Sequence, residues 1–187
     1  MYFMSKIRKK VLWLTETAVL LALLICLQWL TKPLGQVVTG SCVNTVLAIA
    51  ALFVGPVSGM VIALISPVFA YLLNIAPQLV TVPAIMAGNL VYTVILGYVG
   101  TRSGRPLWRQ IVAWISAAGA KFAVLYVLVV QIICGLASEA LLEQGLLKAP
   151  MLKALPAMFS WTQLITAAIG GAVALLIAPV LRRALKR

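Results

Sequence analysis

The chain has 187 residues, 64% of them hydrophobic and 10% charged, with fifteen Lys and Arg against three Asp and Glu and no histidine. Soluble domains carry roughly 25% charged residues, so a water-facing globular domain is excluded and lipid is the solvent for most of the chain. A nucleic-acid binder is excluded too, because it displays a basic face in water, whereas these basic residues cluster between apolar runs.

The first such run, residues 11–30, follows Lys6, Arg8, Lys9 and Lys10. It is longer than the apolar region of a signal peptide and is expected to stay in place as a first span. Residues 31–39 are expected to form an external loop, with Pro33 and Gly35 as breakers. Residues 40–73 are too long for one span, and Gly55-Pro56 divides them: proline lacks an amide donor and disfavours helix in the residue before it. They predict two short spans, 40–54 and 57–73, the first marginal in length. An external turn around Pro77 leads to a fourth span over 81–100, which Arg102, Arg105 and Arg109 follow. A fifth span covers 110–136. Residues 137–155, with leucines at 141, 142, 146 and 147 beside Glu139 and Glu143, read as an interfacial connector or as a flap over a site. The last span, 157–181, runs into Arg182, Arg183, Lys186 and Arg187.

Six spans put all three basic clusters on one side, which the positive-inside rule makes cytoplasmic. Merging 40–73 into one span would separate the basic N-terminus from the basic C-terminus. The expectation is therefore an all-α membrane protein: one integral domain, six transmembrane helices, N- and C-termini cytoplasmic, in a prokaryotic cell membrane.

Much chemistry is missing. There is no glycine-rich loop ending in Gly-Lys-Ser or Gly-Lys-Thr to cradle ATP phosphates, and without histidine the common triads and zinc motifs are unavailable. The three cysteines, Cys26, Cys42 and Cys134, lie in or beside apolar runs with no metal-ligand spacing. No carboxylate pair sits within a span, and Glu16 reads as a partner for the basic residues near it. No catalytic residue, metal or cofactor is expected; the chain binds or passes something rather than transforming it.

The six-span topology gives every polar residue a depth. Ser41, Asn44 and Thr45 fall in the outer part of the second span; Ser66, Tyr71 and Asn74 fall toward the outer end of the third. Asn89, with Tyr92 and Thr93 one turn on, makes a polar patch near the middle of the fourth. Gln163 lies in the outer part of the sixth beside Ser160, Trp161 and Thr162. The inner halves are comparatively bare. This distribution predicts an outward-opening pocket for a small polar molecule, against the plainer reading that such groups only bond between helices. Lys121 is the sharpest signal. A lysine at mid-span costs about 2.5–3.5 kcal/mol on insertion scales, and no intramembrane carboxylate can pair with it, so either carbonyls, water and an anionic ligand meet its charge or the charge is lost; it is expected to face substrate rather than to pack against backbone carbonyls alone. Ala18 and Ala22, and a stripe of Gly170, Ala174 and Ala178, are small-residue steps that let helices approach closely, within the chain or with a partner.

Together these pieces resemble a known family. They are the basic N-terminus and Ala18-x-x-x-Ala22, the segment Gln36-Val-Val-Thr-Gly-Ser-Cys-Val-Asn44, the Gly-Pro hairpin, Ile65-Ser-Pro-Val-Phe-Ala70, Ala87-Gly-Asn-Leu-Val91, Ala120-Lys-Phe122, and Trp161-Thr-Gln-Leu164 with Gly170-Gly171. The whole chain resembles the substrate-binding S components of energy-coupling factor (ECF) transporters. The resemblance implies a six-helix protein that binds a vitamin or related micronutrient and works with a transmembrane coupling subunit and two cytoplasmic ATPases. It implies that Ala18 and Ala22 dock on the coupling subunit and that residues 31–39 gate the site. It also implies that substrate is held near the outer face by that loop and by later helices. The expected binding set is Lys121, Asn89, Gln163, Asn44, Thr39, Gln36, Tyr92, Trp161 and Asn74, with tryptophan and tyrosine free to stack on a ring and Lys121 favouring an anionic or carbonyl-bearing ligand. The alternatives are a self-contained small permease or channel and a ligand-free membrane assembly protein.

Overall fold

The computed structural model describes residues 2–100 and 107–184. Arg102, Arg105, Lys186 and Arg187 lie outside the described residues, as do the side chains of Arg182 and Arg183. Helix α1 (Tyr2–Thr31) passes through a 3-10 turn, Lys32–Leu34, into α2 (Gln36–Ile49), whose winding widens over Ala50–Val54. Helix α3 (Pro56–Leu72) returns the chain; α4 (Val82–Ile95) widens over Leu96–Gly100, and α5 (Leu107–Leu125) widens over Tyr126–Leu136. Two short helices, α6 (Ser138–Glu143) and α7 (Ala149–Phe159), lead to α8 (Trp161–Ala184), and there is no strand among the described residues.

Five helical stretches are long and apolar enough to cross a membrane: Lys6–Leu34, Gln36–Val54, Leu79–Gly100, Trp108–Leu136 and Trp161–Ala178. Helix Pro56–Leu72 is a shorter apolar one; at 1.5 Å per residue it reaches about 25 Å. Counted with the five, it brings the apolar helices to the six expected.

The connections differ from the sequence expectation in two places. The loop expected over 31–39 is nearly all helix, because only Gly35 breaks it: with φ 87° it caps α2, which begins at Gln36. The second span thereby gains four residues and is no longer marginal. Gly55, at φ 135°, makes the matching turn at the opposite end, with Pro56 as the first helical residue of α3, where its missing amide costs nothing. The second difference is at 157–160. The last span does not run in from 157; α7 ends at Phe159, Ser160 turns the chain, and α8 starts at Trp161. The 137–155 connector packs on the bundle through Leu147 and Leu155, which are buried.

Small residues set the helix spacing. Helix α2 packs most extensively on α8, while α4 lies against both α3 and α5. A Cβ on Gly170 would come within 2.5 Å of the Asn44 Cβ and 2.8 Å of backbone atoms of Ser41 and Thr45, so α2 and α8 touch backbone to backbone. Ala174 and Ala178 of the same stripe are buried; the stripe therefore serves internal packing. Ala18 and Ala22 behave oppositely and are exposed. Around the core, Leu24, Leu47, Ile62, Tyr92 and Leu96 form one cluster. Leu125, Val129, Leu155 and Phe159 form a second toward the Gly35 end.

Candidate functional site

Lys121 of α5 is 3% exposed and enters the bundle at the level of two asparagines. Its Nζ donates to the Asn44 Oδ1 at 2.6 Å and to the Asn89 Oδ1 at 2.7 Å, from α2 and α4 on either side. The same nitrogen stands 5.5 Å from the centre of the Tyr92 ring. Two short hydrogen bonds from an ammonium, roughly 1.5–3 kcal/mol each, and a π face beneath it together offset the insertion cost of the lysine. Its partners are therefore neutral. They hold the ammonium without cancelling its charge.

Asn44 and Tyr92 are fixed in turn. Asn44 Nδ2 donates to Thr166 Oγ1 at 3.3 Å, and that hydroxyl donates to the Gln163 carbonyl at 3.1 Å. Tyr92 donates to the Ala167 carbonyl at 3.3 Å. Because Asn44 is pressed by Gly170, spacing and polarity are linked. Gly170→Ala is expected to push α8 off α2 and lower the thermal unfolding temperature in detergent, at a cost of about 1–3 kcal/mol typical of overpacking. Gly119→Ala, whose Cβ would meet nothing within 4 Å, is expected to leave that temperature unchanged or raised.

At Lys121 opens a cavity of about 320 Å³, bounded by α1, the 3-10 turn after it, α2, α3, the turn after α3, α4, α5, α7 and α8. Lys121, Asn44 and Asn89 line its floor region, and Gln36, Thr39, Asn74 and Gln163 line the rest. The amide nitrogens of Gln36 and Gln163 both donate to the Met158 carbonyl, at 2.9 and 3.1 Å, tying α2 and α8 to the end of α7. Thr39 donates its hydroxyl to the Thr31 carbonyl at 2.9 Å across the Gly35 turn. Lys32 also lines the cavity and donates to the Leu73 carbonyl at 3.0 Å, linking the α1–α2 connection to the end of α3.

Seven of the nine residues expected from the sequence thus share one cavity, and two stand apart. Tyr92 lies beneath Lys121 as a support rather than in the lining. Trp161 is 68% exposed and stacks on Phe122 at 5.7 Å, outside the cavity. No tryptophan or tyrosine is in the lining, whose aromatic member is Phe159, so the expected aromatic stacking has no partner there. Trp161→Ala is expected to leave ligand affinity within about twofold in a direct binding assay, as for a surface substitution.

Gln28, Lys32, Ser66, Met158 and Phe159 are lining residues that the binding set omitted. Gln28 carried a signal, being a lone amide within an apolar run. Ser66 carried one too, since Pro67 beside it cannot donate within the helix. The α7 pair carried none.

The chain matches a family model described as the ECF transporter, substrate-specific component, over residues 13–182. The chain belongs to that family. No curated protein and no solved structure matches it. Family and apolar helices together make this S component a multi-pass protein of the cell membrane and a transport-specificity subunit, not an enzyme.

Proposed function

We propose that this S component captures a small water-soluble vitamin or related micronutrient in the cavity above Lys121, from the outer face, and passes it inward while partner subunits hydrolyse ATP. The observation that carries the reading is the convergence of Lys121, Asn44, Asn89, Gln36 and Gln163 on one cavity. The basic clusters are taken as cytoplasmic, so the Gly35 end faces outward and the nutrient enters there. The partners are a transmembrane coupling subunit, docked on Ala18 and Ala22, and two cytoplasmic ATPases, consistent with the lack of a phosphate loop in this chain. The Lys32–Leu73 contact is the latch of the gate.

Affinity purification from native membranes in mild detergent, with mass spectrometry of what comes along, tests the partnership. A coupling subunit and two ATPases in stoichiometric amounts are expected. If the chain emerges alone under detergent that preserves control complexes, it acts as a self-contained permease.

A further inference from the structure

Two polar atoms in the cavity wall lack partners. Gln28 is 4% exposed and its Oε1 accepts no hydrogen bond; Ser66 is fully buried and its Oγ makes none. Both residues line the cavity that Lys121 enters. A buried polar group left unmade costs about 1–3 kcal/mol, so these atoms mark places where something else is to bond. A carbonyl-type oxygen such as Gln28 Oε1 accepts only, and its missing partner is a donor.

The charge balance points the same way from the other end. The lining includes Lys121 and Lys32 and no aspartate or glutamate. Lys121 spends two donors on neutral amide oxygens, and no carboxylate stands beside it in the lining. A cationic ligand would meet repulsion there, whereas an anionic group would give Lys121 the opposite charge that its amide partners do not supply. A single buried lysine balances one negative charge, not two. The volume lies at the small end of ligand cavities, about 300–1,000 Å³, and the lining has one aromatic ring, Phe159.

We infer that the ligand is a small aliphatic monocarboxylate whose carboxylate meets Lys121 and whose hydroxyl or amide N–H groups bond Gln28 and Ser66. The inference rests on the nutrient-binding reading and deepens it. It separates the ligand from phosphate esters, whose second charge would have no deep partner, and from flat fused-ring compounds, which need stacking faces.

The S component purified from its native membrane is heated, and the released small molecules are weighed in both ion modes, with a Lys121→Met preparation in parallel. The expected result is one aliphatic monocarboxylate in near-stoichiometric amount, at least tenfold depleted from Lys121→Met. The released compound should rebind the emptied wild-type protein, and its methyl ester should bind at least tenfold more weakly. Release of a neutral compound, a cation, a phosphate ester or a fused aromatic ring overturns the inference while leaving nutrient binding intact. Equal affinity for acid and methyl ester does the same. If nothing is released from folded wild-type protein, the nutrient-binding reading fails and takes this inference with it. The wild-type arms decide the matter even if Lys121→Met does not fold.

Discussion

Lys121→Ala is expected to weaken nutrient binding about 30-fold to several thousand-fold while leaving the yield of folded protein unchanged. Removing one member of a buried, hydrogen-bonded charge pair costs roughly 2–5 kcal/mol of binding free energy. Folding is spared for a separate reason. The lysine itself opposes membrane insertion by about 2.5–3.5 kcal/mol, which its removal returns. Asn44 keeps its bond to Thr166, and Asn89 lines the cavity, where water can reach it. Isothermal titration and size-exclusion chromatography of the two proteins check both halves. Unchanged affinity would remove Lys121 from the site; a loss of folded protein as large as the loss of binding would make the lysine structural.

Ala18→Trp is expected to abolish uptake and assembly with the coupling subunit while substrate affinity of the isolated S component stays within about twofold. Helix α1 has two unlike faces. Thr17, Leu24 and Gln28 are buried in the bundle, whereas Val11, Thr15, Ala18, Ala22, Cys26 and Trp29 follow one another at helical spacing and are all exposed. The small residues sit in the middle of that outer row, where a partner helix could come close. A tryptophan at 18 would keep such a helix away yet meet nothing inside the bundle. Uptake in cells and binding by the purified subunit are measured separately. Uptake that survives the substitution would dismiss the docking face, and a parallel loss of substrate binding would show that the bulk had disturbed the fold.

The sequence was most legible where the membrane imposes strict rules. Span number followed from apolar length and basic clusters, and the hairpin at Gly55-Pro56 from backbone chemistry alone. Lys121 stood out because a mid-span ammonium without a carboxylate has few explanations, and its amide partners were among the few polar groups at the right depth. The misses are equally physical. Residues 31–39 read as one loop because Pro33 and Gly35 are both breakers, yet Pro33 sits at the start of a 3-10 turn and Gly35 alone breaks the chain there. Trp161 neighbours Gln163 in sequence but, two positions away on a helix, points elsewhere. The break at Ser160 and the seating of Met158 and Phe159 in the cavity wall depend on how α7 folds back on α5, which no local pattern encodes. Gln28 is readable in the sequence as a lone amide within an apolar run.

The transported nutrient is expected to sit in the cavity above Lys121. The most direct measurement is an experimental structure of the S component purified with its nutrient bound. Ligand density is expected in contact with Lys121 and reaching Gln163 and Gln36, with Trp161 untouched outside. Ligand density elsewhere, with the Lys121–Asn44–Asn89 cluster closed and its cavity filled only by water, would contradict it.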